Sequence, residues 1–274
     1  MKLGLGLYLR LEQSSKLFIN PILGLSPLEL ELLLDQSLEQ VSDFHEKNPN
    51  WRDENPLEER GNYFWQGDFL DGCKSVRGKV SREQYLETPQ IFVDKGEAGY
   101  STKYNSQINE RIAEKLARFK RIEEQASSAD NIFSKQFAKQ RDWIVKQQLA
   151  IVKYLCETQD QYLESGNKLN LNPITQLHVA EHLGYSDSTI TRLVKNLTIH
   201  LPDGKVLFVY ELIPGFKATI IKGTYALREL QQNSDLYDNG EWKISDSKLV
   251  PILKERFGIE VARRTVSKYK SRLG

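Results

Sequence analysis

Residues 262–273 constrain this chain more than any other stretch. Ala262, Val266, Tyr269 and Leu273 recur at spacings of three and four, the repeat of a single helical face. The positions between them hold five Lys or Arg and no acid, in a chain whose 38 basic residues otherwise nearly balance 37 acidic ones. Such a helix buries its apolar stripe and displays its charge. Upstream, Ser245 or Asp246 can cap a helix carrying Leu249, Ile252, Leu253 and Phe257, and Gly258 with Ile259 supplies a tight turn. Pro251 falls inside that helix, where an interior proline costs about 3 kcal/mol unless a kink accommodates it. Two helices joined by a short Gly-containing turn, the second basic, read as a helix-turn-helix with duplex DNA as the expected partner. Arg bonds guanine O6 and N7 bidentately, so Arg263 and Arg264 are the base-reading candidates, while Thr265, Lys268 and Lys270 suit phosphates. Charge alone is equally compatible with a solvated basic helix.

A second helix-turn-helix spans residues 176–195. Thr175 can cap a helix on which Val179 and Leu183 face inward, Ala180 is small enough for a close crossing, and Gly184 stands where a left-handed residue is wanted. Tyr185, Ile190 and Leu193 complete the apolar seam. The second helix, capped by Ser186 or Asp187, then exposes Ser188, Thr189, Thr191, Arg192 and Lys195, short hydroxyls and long cations suited to DNA. After the turn Pro202-Asp203-Gly204, the β-branched and aromatic run 205–212 reads as a strand, a wing.

The string Ala262-Arg263-Arg264-Thr265-Val266-Ser267-Lys268-Tyr269-Lys270 resembles the signature box of the sigma-54 family of bacterial RNA polymerase factors, written ARRTVAKYR, with Ser267 for Ala and Lys270 for Arg. Nine ordered residues of mixed chemistry make a specific match. The resemblance implies that the box helix reads an upstream GG promoter element through Arg263, Arg264, Lys268 and Tyr269. Ser188-Thr189-Ile190-Thr191-Arg192 resembles the family's ESTVSR recognition helix, and Phe208 to Tyr210 its FELKYF strand, which implies a second contact at the downstream promoter element. The block 88–168 more weakly resembles the region that holds core RNA polymerase. At the front, residues 11–21 and 25–31 are similar to the family's Q-S-Q-x-L-x-x-T-P and L-S-x-L-E-L-E strings, but only Ile22-Leu23-Gly24 stands where a glutamine- and leucine-rich helix is usual. That helix belongs to the region which responds to an AAA-type activator ATPase.

Other patterns set the frame. Ile108, Ile112, Leu116 and Phe119 repeat at helical spacing, as do Phe133, Phe137, Ile144, Ile151, Val152, Leu155 and Tyr162, with Gly166 as a stop; these predict a helical bundle. Residues 88–93 and 99–104 predict a small hairpin. Residues 1–60 carry six Lys or Arg against eleven Asp or Glu, whereas 241–274 carry nine against four, so only the rear suits a polyanion. No stretch reaches the roughly 18 apolar residues of a membrane span, and no cleavable leader is evident, so the expected location is cytoplasmic. Cys73 and Cys156 support neither a disulfide framework nor a zinc ribbon. His178-Val179-Ala180-Glu181-His182 matches the H-x-x-E-H zinc pattern, but His45 and His200 offer no third-ligand spacing. No metal and no cofactor are expected, and the two histidines belong on a polar helix face.

The expectation is a mainly α, modular helical protein: an N-terminal regulatory segment (1–45), a linker (46–87), a polymerase-binding helical domain (88–168), a central helix-turn-helix domain with a small β wing (169–220) and a C-terminal promoter-recognition domain (221–274). It is expected to be no enzyme but a sigma-54-type initiation factor, with core RNA polymerase, promoter duplex and an activator ATPase as partners. The alternatives are a divergent relative that binds DNA or polymerase without supporting activated initiation, a metallohydrolase using His178 and His182, and a protein adaptor.

Overall fold

The computed structural model describes residues 22, 24–47, 68–126 and 132–273, with side chains described at 22, 24–39, 72–121 and 137–273. The fold is mainly α. In chain order the elements are α1 (Pro27–Lys47), α2 (Asp68–Val76), α3 (Arg82–Glu87), β1 (Ile91–Gly96), β2 (Gly99–Tyr104), α4 (Ser106–Ala126), α5 (Ile132–Thr158), α6 (Asp160–Ser165), α7 (Gln176–Leu183), α8 (Asp187–Val194), β3 (Thr198–His200), β4 (Val206–Phe208), α9 (Lys217–Leu230), β5 (Tyr237–Asp238), β6 (Glu241–Trp242), α10 (Asp246–Phe257) and α11 (Arg263–Lys270). Among the described residues no helix is long and apolar enough to cross a membrane.

Two compact units result, one from residues 1–153 with 185–209, the other from 154–184 with 210–274. Each draws on two separated stretches of the chain.

In the first unit α1 begins at a reciprocal cap. Ser26 Oγ accepts from the Glu29 N–H, Glu29 Oε2 accepts from the Ser26 N–H, and Pro27 occupies the first turn, where its missing N–H costs nothing. Leu30, Leu33, Leu34 and Leu38 then face the core together with Ile108 and Ile112 of α4 and Cys73 and Val76 of α2. The predicted face of α4 is thus buried, apart from half-buried Leu116. It packs chiefly on α1, assigned above to a separate front segment. Within the stretch expected to be a linker, residues 48–67 lie outside the described residues, α2 and α3 follow, and Tyr85 of α3 is buried with its hydroxyl 2.8 Å from Ser26 Oγ.

The α1–α4 contact is stitched by charge. Arg111 donates to both carboxylate oxygens of Glu31 at 2.7 and 3.0 Å, and Lys115 reaches Glu31 at 3.2 Å and Asp35 at 2.6 Å. Burial pushes the Glu31 carboxyl upward, but the bonds from Arg111 and Lys115 outweigh it and hold it below its ordinary value. A depressed folded value means that this stabilisation is present above the unfolded-state pKa and fades as pH falls through the folded one. Glu31→Gln therefore lowers the melting temperature at pH 7, and the gap to the parent closes on acidification, as circular dichroism melts across a pH series would show. With Arg111 40% exposed, solvent screening keeps the effect modest.

The predicted hairpin is present, with Ile91 opposite Tyr104 and the turn at Glu97-Ala98. It also pairs in parallel with β3, Ile91 opposite Ile199, giving a four-stranded sheet in the order β2-β1-β3-β4. The buried Thr198 N–H donates to Gln90 Oε1 at 2.6 Å and fixes that register. The predicted wing strand is correspondingly short: Val206–Phe208 is strand, and Val209–Leu212 turns into a 3-10 helix.

The last residues of α5, from Tyr154, belong to the second unit; the helix ends at Thr158, and buried Gln159 organises the connector. Its side chain donates to the carbonyls of Asn172 and Leu212 at 2.9 and 3.0 Å and accepts from the Asn172 N–H at 2.8 Å. Gly166 ends α6 in the left-handed conformation, as its position predicts.

Candidate nucleic-acid interface

The C-terminal module forms around Ala226, Leu227 and Leu230 of α9, Leu249 and Leu253 of α10, Ile259 of the turn, and Val266 and Tyr269 of α11. Gly258 closes α10 in the left-handed conformation at φ 66°, with its N–H returned to the carbonyls of Leu253 and Lys254. Pro251 does not interrupt α10: the helix runs through it with the ring exposed to solvent. Trp242 from the β5–β6 hairpin and Leu273 close the edges of the same core.

α11 starts one residue later than the apolar repeat suggests. Ala262 is its exposed N-cap, with no side-chain bond, and Val261 is half-buried in its place. Val266 and Tyr269 are fully buried, which divides the rest of the helix into two polar strips. One strip, pointing away from the core, holds Arg264, Lys268 and Ser271, all exposed. The other holds Arg263, Ser267 and Lys270 at i, i+4 and i+7, beside the start of α10. Among the described residues Arg263, Arg264 and Lys268 make no ion pair, although the Arg263 charge is felt by Asp246. Arg263 and Arg264 also occupy the first two positions of the helix, adding to the positive end of its dipole rather than offsetting it. In the free protein this arrangement is mildly unfavourable; an approaching phosphate or base acceptor relieves it.

Two expected contact residues leave this exposed set. Tyr269 is 1% exposed and lies in the core against α9; the close approach depends on Gly223, where a Cβ would stand 2.0 Å from Tyr269 Cε2. Burial pushes its phenol pKa upward. It therefore supports α11 rather than presenting itself to a duplex. Lys270 is held within the protein, its Nζ 2.6 Å from Asp246 Oδ1 and 4.8 Å from the Trp242 ring centroid. Thr265 is half-buried near the helix start.

The stretch expected to be the central reader contains α7 and α8. α7 is capped by Thr175, whose hydroxyl accepts from the His178 N–H at 3.3 Å while His178 Nδ1 accepts from the Thr175 N–H. His182 stacks on Tyr154 at 4.0 Å between ring centroids. Both histidines lie on the exposed face, each with a structural contact. Val179 and Ala180 are buried, Leu183 is half-buried, and Gly184 ends the helix at φ 71°.

In α8, Ser186 is the cap, not Asp187: its Oγ accepts from the Thr189 N–H and lies 3.0 and 2.9 Å from the Ser188 and Thr189 hydroxyls. The Thr191 hydroxyl donates to the Asp187 carbonyl at 2.9 Å. Ile190, Leu193 and Val194 are buried, and the Leu193 carbonyl accepts from buried Gln148 at 3.0 Å, which anchors α8 to α5. Ser188, Thr191, Arg192 and Lys195 are exposed and Thr189 is half-buried. The expected contact strip of α8 is thus displayed on an apolar backing, its hydroxyls already ordered by the helix itself.

Asp246, Trp242 and Gly223 complete the site and were not recognised from sequence as part of it. Asp246 reads as a helix-capping residue, and only a glycine inside the otherwise helical run Lys217–Leu230 hinted at the close crossing.

A family model described as the sigma-54 DNA-binding domain matches residues 120–274, more than half of the chain. An RNA polymerase sigma-54 factor of Pseudomonas aeruginosa is 26% identical over 207 residues, covering 71% of this chain and 40% of the relative. The Bacillus subtilis RNA polymerase sigma-54 factor is 32% identical over 127 residues, 45% of this chain and 28% of the relative. A solved structure of Aquifex aeolicus sigmaN bound to promoter DNA is similar over 76% of this chain and 68% of that one, at 17% identity and a TM-score of 0.42. The chain spans about two-fifths of the length of the curated relatives that it matches over the longest stretches.

Proposed function

The chain belongs to the sigma-54 family, and from that premise we propose that it is a transcription initiation factor that binds core RNA polymerase and recognises GG/GC-type promoter elements, with DNA opening dependent on an activator ATPase. It acts by binding and not by catalysis. One observation carries the reading: the outward strip of α11, with Arg264 and Lys268 exposed and unpaired above a rigid core, while Arg263 extends the cationic helix start. Guanidinium groups on such a strip suit guanine edges, and the Lys268 ammonium suits a phosphate. The family's box has this chemistry in the same order, which supports assigning it to the upstream element. Ser188, Thr189, Thr191, Arg192 and Lys195 of the central reader supply a second, hydroxyl-rich strip, so that spacing between two promoter elements enters the specificity.

The test is transcription reconstituted with core polymerase, a GG/GC promoter and an activator, with and without ATP hydrolysis. Transcripts that require the chain, the promoter elements and hydrolysis are the expected result. Salt-sensitive promoter binding without transcripts would favour the narrower reading of a relative that binds DNA but does not support activated initiation. Absence of salt-sensitive DNA binding would defeat both.

A further inference from the structure

The two box residues that depart from the family string, Ser267 and Lys270, converge on one carboxylate. The Ser267 hydroxyl donates to Asp246 Oδ2, and the Lys270 ammonium sits 2.6 Å from Asp246 Oδ1. The alanine of the family string has no hydroxyl to donate there. The Lys270 and Asp246 side chains are only 20% and 23% exposed, and the indole of Trp242 closes over the ammonium at 4.8 Å. Bonds from Lys270 and Ser267 hold the Asp246 carboxyl below the usual carboxylate range, so it stays charged at neutral pH. The same strip carries Arg263, whose charge also lowers that carboxyl.

We infer that Asp246 is a positioning residue that sets sequence-independent affinity: it withholds Lys270 from the DNA backbone, which lowers affinity for every sequence alike and leaves discrimination to Arg264 on the outward strip. The inference rests on the DNA-binding reading above. A cation near a duplex adds sequence-independent affinity and one unit to the count of neutralised phosphates. A cation tied to a carboxylate, a hydroxyl-bonded one at that, and capped by an indole adds neither. Asp246 therefore acts through Lys270 and touches no base; it also fixes the rotation of α11 about its axis by gripping positions 267 and 270 together.

The experiment is fluorescence-anisotropy titration of the full chain on a GG-containing duplex and on a duplex of unrelated sequence across a salt series. Asp246→Asn is expected to raise affinity for both duplexes by about the same factor, to steepen the slope of log K against log salt by about 0.9, and to leave the ratio between the two duplexes unchanged. Lys270→Gln alone is expected to leave the slope at the parent value, and the double variant to return to it. An unchanged or shallower slope in Asp246→Asn, or a slope reduced by about 0.9 in Lys270→Gln, overturns the inference. Where Asp246→Asn fails to fold, Lys270→Gln decides alone. Lys268→Ala separates the two layers: it should flatten the slope by about one unit. If it does so while Asp246→Asn changes nothing, only the inference fails; if no salt-dependent binding exists at all, the DNA reading falls and takes the inference with it.

Discussion

Gly223→Ala is expected to destabilise the C-terminal module by about 1–3 kcal/mol, although alanine in mid-helix is ordinarily favoured over glycine by roughly 1 kcal/mol. The sign is decided by Tyr269. A Cβ at position 223 would lie 2.0, 2.4 and 2.7 Å from Cε2, Cδ2 and Cζ of its ring, which is 1% exposed. The ring cannot swing away cheaply, because Leu227, Leu249, Leu253 and Val266 fill the same core. Either α9 and α11 move apart or the tyrosine leaves its rotamer, and both cost packing energy. Because Tyr269 projects from the opposite side of α11 to Arg264 and Lys268, displacing it tilts the strip proposed to face a duplex. Thermal melting and promoter affinity should therefore fall together in Gly223→Ala, and Gly223→Ala/Tyr269→Leu should recover part of the melting loss by vacating the space. A more stable Gly223→Ala protein would show that the crossing is not as close as the ring distances require.

The same region shows which features a sequence reveals. Periodicity located α4, α10 and α11 because the apolar face of each is buried within its own unit, and Gly184, Gly166 and Gly258 marked helix ends because each adopts positive φ there. Local pattern fails where the partner is distant in the chain. The parallel pairing of Ile91 with Ile199 joins two short strands whose own residues specify no register, and Gln90 and Thr198 fix it only once they are side by side. Likewise α2 and α3 lie in a stretch rich in Gly, Asn and charge, and they are helical because Cys73, Val76 and Tyr85 find apolar cover on α1 and β-strand neighbours. The expected contact residues divide in the same manner. Arg264 and Lys268 were legible because they oppose a readable apolar face. Tyr269 belonged to that face and to a family string at once, and the packing assigns it to the core. Lys270 looked like another surface cation until its carboxylate, 24 positions earlier in the chain, was brought beside it.

Arg264→Ala is expected to weaken binding to the GG-containing duplex by about 1–3 kcal/mol, roughly five- to 150-fold, and to relax preference at one base pair. The protein itself should not suffer. Arg264 is exposed, has no ion-pair partner among the described residues, and stands at the second position of α11, where a cation opposes the helix dipole. Its removal should leave the melting temperature unchanged or slightly raised, so that lost binding cannot be traced to lost folding. Arg264→Lys distinguishes charge from shape. An ammonium retains attraction to phosphates but cannot present the planar fork that matches guanine O6 and N7. The lysine variant should thus hold affinity for an unrelated duplex while its advantage on the GG-containing duplex shrinks, and Lys268→Ala should do the reverse, weakening both duplexes equally. Electrophoretic titration of the three variants against both duplexes tests the assignment. If Arg264→Ala kept the full GG preference, Arg264 would be a backbone contact, and base reading would pass to Arg263, which lies on the strip facing Asp246 and would have to turn outward to reach a base.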